Sequence, residues 1–362
     1  MIMEEKNQNS LKLSVVDVEA KYKIDNTETI SSGMVSWGPS NDIPKLYINC
    51  YEKSATLKAT IDQSLNYVLG DGVEINPDAG MWQGEVNRRG ETLEDIIAHA
   101  AQDYLITGNW CWEIIYNKIG VPVEIYSVDV TKCRLSEDKS KVYYSKKNWT
   151  RYQSKAEEFG RIGYAEYDPS KPAMMYFYNG TGVRTTYNKA PWSAAMDDVL
   201  CEIEGSRYSL NSVANGFACR YLLSLNGAQL TDSQKQIIED GIREKFTGAD
   251  ATNFMIYYSE SDETIDVKKL EANEDAENFQ NIRNGARENV MVSLRMSPLL
   301  LGLGAAVGGT GFSTQEFSDS YKLYDRTVAE PIRRIIEKSL DKALGLKNLV
   351  RIIPFNIKFD NE

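Results

Sequence analysis

A glycine-rich segment, residues 302–311, lies between two stretches with helical periodicity and constrains the fold more than any other part of the sequence. Glycine loses more backbone freedom on folding than any other residue, so a segment this rich in it is expected to form a loop. Before it, apolar residues recur every three or four positions, as on one helix face, and Pro298 is expected to end that helix. The positions of this stripe are Phe279, Ile282, Ala286, Val290 and Leu294.

The helix after the loop is expected to be the longest in the chain. Ser313-Thr314-Gln315-Glu316 has the form of a capping box. One apolar face then continues to Gly345, and Pro331 is expected to bend the helix. A closing strand is predicted from Val350 to Phe359, where Pro354 favours a sheet edge. The residues of the apolar face are Phe317, Tyr321, Tyr324, Val328, Ile332, Ile335 and Leu340.

The part of the chain before residue 191 is predicted to combine helices with a sheet. Residues 1–30 are polar and are expected to form an arm or an edge strand. One amphipathic helix is predicted from Tyr47 to Val68, and a second begins at the capping sequence of Thr92 and stops at Gly108. Strand patterns follow in residues 110–116, 122–130, 141–145 and 173–178.

A small αβ insertion is predicted between two long helices. Pro191 occupies the position that proline prefers at a helix start, and this helix is expected to reach Phe217. Strand patterns cover residues 220–225 and 253–258, with a short helix between them capped by Thr231. Residues 218–272 are therefore expected to form a separate subdomain.

The charge balance bears on how the protein can treat nucleic acid. The net charge is −11, whereas proteins that grip DNA rely on clustered Lys and Arg side chains that neutralise phosphates. An acidic wall would instead leave the phosphates unpaired, so that a passing polymer could slide. Composition alone leaves two interpretations open: a conduit for DNA, or a protein indifferent to it.

Neither a membrane span nor a secretory leader is predicted. No run approaches the roughly 20 apolar residues that cross a bilayer, and residues 1–10 are polar with two glutamates. The five cysteines are scattered, odd in number and without a Cys-x-x-Cys pair, which argues against a disulfide framework or a zinc site. A reducing, cytoplasmic setting is expected.

Patterns that could carry enzyme chemistry are weak. Gly302-Leu-Gly304-Ala-Ala-Val-Gly308 has the glycine spacing of a dinucleotide-binding fingerprint, but a helix and Ser297-Pro298 precede it instead of a strand. His99 is the only histidine and lies within a predicted helix, where packing or surface exposure is the simpler role. No Walker-type phosphate-binding sequence occurs, so the chain is not expected to be an ATP motor. No cofactor, metal or catalytic residue is predicted.

Two sets of charged residues could have a functional role, but each also has a simpler structural explanation. A basic and aromatic cluster could contact nucleic acid, but a β-hairpin with buried aromatics and solvated lysines explains it equally simply. Acidic residues of the last helices could line a negatively charged bore, or could be ordinary solvated helix surface. The first group is Lys139, Lys141, Lys146, Lys147 and Arg151 with Tyr143, Tyr144, Trp149 and Tyr152; the second is Glu274, Asp275, Glu277, Glu288, Glu316 and Asp319.

Several short motifs in a fixed order carry a resemblance to a known family. They are Asn226-Gly227-Ala228 before Leu230-Thr231, then Phe246-Thr247-Gly248, then Ser297-Pro298-Leu299-Leu300-Leu301-Gly302, then Glu316 with Tyr321 to Pro331. From Trp37 to Phe359 the chain resembles the portal proteins of long-tailed bacteriophages and prophages. The arm before Trp37 has no counterpart in this resemblance, and any crown beyond the long helix is expected to be small.

The resemblance implies an α+β, portal-type subunit. Its parts would be an N-terminal arm (1–30), an α+β wing (31–190), a first stem helix (191–217), a small αβ clip (218–272), a second stem helix (273–296), a tunnel loop (297–313), a long wing or crown helix (314–344) and a C-terminal strand returning to the wing (345–362).

The resemblance also implies a structural function without enzyme activity. The family forms a head-to-tail ring at one capsid vertex, expected to be a dodecamer, through which double-stranded DNA passes without sequence specificity. The partners would be the terminase large subunit, major capsid and scaffold proteins and a head-completion or adaptor protein, with no membrane and no cofactor. The location would be the virion, after assembly in the host cytoplasm.

The resemblance assigns two groups of residues to contacts in the particle. The tunnel loop would face DNA as the constriction of the channel through Gly302, Gly304, Gly308, Gly309, Thr310 and Gly311. The clip would contact terminase and adaptor through Asn226, Gly227, Gln229, Thr247 and Gly248.

Two other classes remain open from the sequence. Another ring-forming virion protein, such as a capsid or tail adaptor, would lack two long helices flanking an insert. A soluble enzyme using carboxylates would behave as a monomer with a deep acidic pocket.

Overall fold

The computed structural model describes residues 27–31, 33–147, 149, 156–180, 185–214, 221–226, 233, 236, 254–259, 273–303 and 314–356; for 211–214, 221–226, 254–259 and 273–279 it describes the backbone alone. The α-helices there are α1 (Ile43–Lys53), α2 (Ala55–Leu69), α3 (Leu93–Thr107), α4 (Met196–Ala214), α5 (Asn273–Ser293), α6 (Thr314–Tyr324) and α7 (Glu330–Leu344). Within these residues, no helix is both long and apolar enough to cross a lipid bilayer.

The strands are mostly short and fall into one large sheet and three pairs. They are β1 (Ile30–Ser31), β2 (Met34–Val35), β3 (Gly72–Ile75), β4 (Trp110–Tyr116), β5 (Pro122–Val128), β6 (Cys133–Leu135), β7 (Lys141–Tyr144), β8 (Glu157–Arg161), β9 (Ala173–Tyr178), β10 (Tyr221–Asn226), β11 (Phe254–Ser259) and β12 (Val350–Ile353). The pairs are β1–β2, β3–β12 and β10–β11.

The six-stranded sheet forms the centre of the fold. Its strand order is β5-β4-β9-β8-β7-β6, antiparallel except between β8 and β9. The predicted strands in 110–116, 122–130, 141–145 and 173–178 are confirmed, with small differences at their ends.

Aromatic rings cover one face of the sheet where β4 and β9 pair. Trp110 stacks on Tyr178 with ring centroids 3.9 Å apart, and Trp112 stacks on Tyr176 at 5.5 Å. On the same face, the Lys342 ammonium of α7 lies 6.0 Å from the centroid of the Tyr176 ring. Burying rings of this size contributes several kcal/mol of hydrophobic stabilisation to this face of the sheet.

Helices α1 and α2 replace the single helix predicted from Tyr47 to Val68, and that prediction was wrong. Ser54 between them has an extended backbone, and its hydroxyl accepts a hydrogen bond from the backbone N–H of Leu57, as an N-cap does. The Ser54 hydroxyl also donates to Glu202, a buried carboxylate of α4 that Thr56 contacts as well, with its hydroxyl at 2.8 Å. A partner distant in sequence therefore determines the break.

Local capping signals correctly predicted other helix ends. Thr92 and Asp95 form both hydrogen bonds of a capping box at the start of α3. Gly108 ends α3 in the left-handed region at φ 79°, and a Cβ there would lie 2.3 Å from the backbone oxygen of Lys189. Only glycine fits this position.

Helices α4 and α5 run antiparallel and pack on each other. The Asn289 side-chain amide near the end of α5 donates to Asp198 near the start of α4 over 3.0 Å. Helix α4 begins at Met196 after a 3-10 turn, five residues later than the predicted start at Pro191. Of the predicted stripe, Ala286 and Val290 on α5 and Leu294 directly after it are buried, whereas Ile282 is exposed.

Strands β10 and β11, predicted from their composition, form a parallel pair. Residues 227–253 join them, and of the helix predicted over 231–246 the structure describes only Ser233 and Gln236, which are both helical. The chain returns to the amino-terminal half through β12, which pairs antiparallel with β3, from Val350 opposite Ile75 to Ile353 opposite Gly72. The strand predicted from Val350 to Phe359 is shorter than expected: it ends at Ile353, because Pro354 has no N–H to donate to the partner strand.

The cysteines provide a test of this core. Burial raises the pKa of Cys50 to about 11 and that of Cys111 well above its ordinary value, the latter helped by contact with Cys133. Cys201 on α4 is exposed. Because the thiolate is the nucleophile, iodoacetamide at pH 8 should alkylate Cys201 in the monomeric fraction and leave Cys50, Cys111 and Cys133 unmodified until denaturant is added. Peptide mass spectrometry measures this, and native-state labelling of Cys111 as fast as that of Cys201 would contradict the packing.

Candidate functional site

The candidate site is the base of the glycine-rich segment, where residues 297–303 lead into it and α6 leads out. Ser297 caps a single 3-10 turn, Pro298–Leu301, through a bond from the backbone N–H of Leu299 to its hydroxyl. Gly302 ends this turn in the left-handed region at φ 74°. Pro298 therefore begins a turn after α5 has already ended at Ser293, instead of ending the helix itself.

Tyr67, near the end of α2, anchors this turn. Its ring is buried, and its hydroxyl donates to the backbone oxygen of Leu300 over 3.1 Å. The rings of Tyr321 and Tyr324 on α6 lie 5.3 and 5.6 Å from the Tyr67 ring. One side chain thus contacts both described ends of the glycine-rich segment.

A second set of hydrogen bonds fixes α6 against α2. The Tyr324 hydroxyl donates to the Ser64 hydroxyl over 2.8 Å, and Ser64 in turn donates to the backbone oxygen of Thr60. Burial raises the pKa of both Tyr321 and Tyr324 to about 12. These phenols therefore stay neutral at physiological pH and act as donors and packing groups.

Arg333 on α7 joins three elements below this cluster. Its side chain is buried and donates to the backbone oxygens of Tyr67 and Val68, which are among the carbonyls that the end of α2 leaves without helical partners. The same guanidinium donates to the carboxylate of Asp325 over 2.7 Å. Asp325 begins a five-residue π-turn, Asp325–Ala329, that separates α6 from α7.

A groove of about 330 Å³ opens beside this cluster, between the 295–300 segment and one side of α6. Its walls combine aliphatic, aromatic and hydroxyl groups with a single cation. They are formed by Arg295, Ser297, Leu300, Ser320, Leu323, Tyr324 and Thr327.

The predicted site residues lie mostly outside the described part of the chain. Gly302 lies at the end of the 298–301 turn, whereas Gly304, Gly308, Gly309, Thr310 and Gly311 lie outside it. Asn226 is the last residue of β10, and Gly227, Gln229, Thr247 and Gly248 lie outside it too. Their assignments to DNA and to terminase stay predictions.

The structure favours the simpler interpretation of the other candidate groups. Lys141 pairs with Glu158 over 2.6 Å and Lys146 with Glu157 over 3.1 Å across the β7–β8 hairpin, so these lysines have carboxylate partners within the fold. His99 is exposed on α3. Gly302 follows a 3-10 turn, which is not the strand that a dinucleotide fingerprint requires.

The acidic side chains keep both interpretations. Glu288, Glu316 and Asp319 are exposed, and the side chains of Glu274, Asp275 and Glu277 lie outside the description. Among the side chains that are described, no three His, Cys, Asp or Glu residues cluster as metal ligands would.

Sequence reasoning missed Tyr67, Ser64 and Arg333. Tyr67 and Ser64 lie next to apolar residues of a helical stripe, where a hydroxyl does not stand out as functional. Arg333 follows Ile332 in a strongly amphipathic helix, and an arginine beside the apolar face of a helix is the one signal that could have indicated a buried guanidinium.

Comparison with known proteins places this geometry in context. The family described as phage portal protein matches residues 80–362. Among proteins with curated descriptions, none shows significant sequence similarity to this chain.

Solved structures share the fold at low sequence identity. A chain from the virion of a native gene transfer agent particle is 14% identical, with a TM-score of 0.55 over 91% of this chain and 86% of that one. A chain from the neck of that particle, computed with C12 symmetry, is 12% identical, with a TM-score of 0.53 over 89% and 84%. An HK97 family phage portal protein from Corynebacterium diphtheriae is 12% identical, with a TM-score of 0.51 over 81% and 88%.

Adjacent arginines on α7 test the junction. Arg333→Met would leave carbonyls of α2 and the Asp325 carboxylate without their donor, which should lower the free energy of unfolding by about 3 kcal/mol. Arg334→Met removes an exposed pair with Glu330 and should cost about 0.5 kcal/mol or less. Urea unfolding of both variants measures the difference, and equal midpoints would contradict a structural role for Arg333.

Proposed function

This chain belongs to the phage portal protein family, and from that premise we propose that it forms a ring at one capsid vertex through which DNA is packaged and ejected. The family is a structural one, its members are virion proteins, and the chain has the mixed helix and sheet fold of portal subunits. The observation that carries the proposal is the antiparallel pair α4–α5, which leads directly into the anchored turn at 298–301 and the glycine-rich segment.

The ring would be built by repeating one head-to-tail interface. Such an interface joins one surface of a subunit to a different surface of its neighbour. The ring closes when the rotation from one subunit to the next is a whole fraction of a full turn. The C12 symmetry used for the similar neck structure supports a dodecamer for this chain. The ring would lie in the virion, after assembly in the host cytoplasm.

The helix pair α4–α5 has the surface that such an interface needs. Two antiparallel helices cannot bury all of their apolar residues against each other, and Leu210 on α4 is 67% exposed while Ile282 on α5 is 60% exposed. Neighbouring helix pairs in a ring would cover these side chains. Residues 191–217 and 273–296 are therefore proposed as the two stem helices.

The insertion between the stem helices is proposed as the clip, residues 218–272. Its parallel strands β10 and β11 place Asn226 at the end of one strand, next to Gly227 in the chain. Together with Gln229, Thr247 and Gly248, these residues are proposed to contact the terminase large subunit during packaging and a head-completion or adaptor protein afterwards. The wing, residues 31–190, would contact major capsid and scaffold proteins.

The tunnel loop, residues 297–313, is proposed as the constriction around double-stranded DNA. Its described base is rigid, because Tyr67 and the capped turn hold residues 298–301. Glycines allow several copies to approach an axis closely, since they carry no side chain that would collide. With a net charge of −11 the protein offers few phosphate contacts, so DNA would pass without sequence specificity.

Glutamate substitutions test the proposed stem interface. Leu210→Glu combined with Ile282→Glu would bury charge between neighbouring subunits, which should weaken each contact by about 2 kcal/mol or more and shift the assembly to monomers. Native mass spectrometry and negative-stain images measure the ring fraction. Ile119→Glu, at the exposed tip of the β4–β5 hairpin, is the matched control, and equal loss of rings in both variants would count against this interface.

Bulky residues in the glycine-rich segment test the constriction. Gly308→Phe combined with Gly309→Phe should reduce the nuclease-protected DNA per particle, because side chains would obstruct the channel, while rings still form. Gly84→Phe is the control, since a Cβ at Gly84 meets no atom within 4 Å and its φ is ordinary. Normal DNA content in the double variant would contradict the assignment.

A further inference from the structure

The π-turn Asp325–Ala329 joins two apolar stripes that are out of step. Ala329 in the turn and Ile332 and Ile336 on α7 are buried, and on α6 the buried residues are Tyr321 and Tyr324. Tyr324 and Ala329 are five residues apart, one more than the spacing that keeps neighbours on the same side of an α-helix. The wide turn absorbs this extra residue, and the backbone N–H of Glu330 bonds to the oxygen of Asp325.

If α6 and α7 were joined by ordinary α-helix instead of the π-turn, α6 would be rotated by one residue from its present position. With α7 held in place, each residue of α6 would occupy the site of the residue before it, a rotation of about 100° and a shift of about 1.5 Å along the axis. Asp325 would then occupy the place of Tyr324 beside the Ser64 hydroxyl, which would turn from the backbone oxygen of Thr60 to donate to the carboxylate. Lys322 would occupy the place of Tyr321.

The groove beside α6 has room for the side chains that this rotation displaces. Ser320 and Leu323 line the groove now, and Tyr321 and Tyr324 would take their places. The groove measures about 330 Å³, whereas a cavity of about 150 Å³ holds a benzene ring. An open volume thus lies on the side to which the aromatic rings would turn.

Two local features favour the present arrangement over the alternative. Pro331 lacks an N–H, and in a continuous α-helix its ring would collide with the backbone oxygen of Thr327. Asp325 and Arg333 bond over 2.7 Å in the π-turn, whereas eight residues of α-helix would place their Cα atoms about 12 Å apart and turn the side chains away from each other. Arg333 itself stays bound to the end of α2 in either case.

We infer that α6 has two registers relative to α7, exchanged by opening of the π-turn, and that Asp325 and Arg333 are the positioning pair that selects the observed one. The exchange would move Thr314, at the end of the glycine-rich segment, while Tyr67 keeps Leu300 at its start in place. One end of the segment would therefore shift relative to the other. The inference rests on the proposed function for its role in the channel and on the described helices for its geometry.

Two variants with opposite effects test the exchange. Deletion of Thr327, whose side chain is exposed, combined with Pro331→Ala makes Tyr324 and Ala329 neighbours at ordinary α-helical spacing without the proline collision, so both stripes stay buried and no second register remains. Amide hydrogen exchange at residues 328–330 should then be about tenfold slower than in the unaltered chain, while exchange at 336–344 stays the same. Exchange at 328–330 that is already as slow in the unaltered chain as at 336–344 would overturn the inference.

Pro331→Ala removes the collision that disfavours the continuous helix. Image classification of this variant by electron cryomicroscopy should find α6 rotated, with Tyr324 in the groove beside Leu300; Pro191→Ala is the matched control at an exposed proline. A π-turn that persists in every subunit, with Tyr324 still on Ser64, would also overturn the inference. Native mass spectrometry of the same samples reports ring formation separately, so failure of the proposed ring is distinguishable from failure of the register exchange.

Discussion

The buried guanidinium of Arg333 is the constraint on which the arrangement around the candidate site depends. An α-helix ends with carbonyl oxygens that lack partners, and at the end of α2 this arginine supplies donors to two of them. Because Arg333 belongs to α7, the bond fixes the position of α2 relative to the helix that packs on the sheet. Tyr67 then transfers this fixed position to the turn at 298–301.

Helices α4 and α5, with the insertion between them, begin and end at the same part of the fold. The chain leaves the sheet region through α4 and returns through α5, whose end lies beside the start of α4. The strand β12 pairs with β3 from the first part of the chain, so residues far apart in sequence close the structure. In the proposed ring, α4 and α5 form the stem, the insertion between them forms the clip, and the part of the chain before α4 forms the wing.

The sequence predicted elements whose signals are local and failed where a distant partner decides. The capping box at Thr92 and the strands β4 and β9 follow from residues within one element. The break at Ser54 does not, because Glu202 that binds it belongs to a helix far along the chain. Likewise, periodicity indicated the apolar faces of α6 and α7 but not the π-turn. The turn follows only from the five-residue spacing between Tyr324 at the end of one stripe and Ala329 at the start of the next. At the candidate site, the helices that flank the glycine-rich segment were predictable, whereas the aromatic and arginine contacts that hold its base were not.

The contact between Glu202 and the α1–α2 junction links the helix pair α4–α5 mechanically to α2. Its carboxylate binds Ser54 and Thr56 at the first turn of α2, and Tyr67 lies at the last turn of the same rigid rod. A force along α4 would therefore act on the start of α2 and be transmitted along this helix to its end. A load on α4 would therefore reach the turn that leads into the glycine-rich segment through α2, without passing through the sheet.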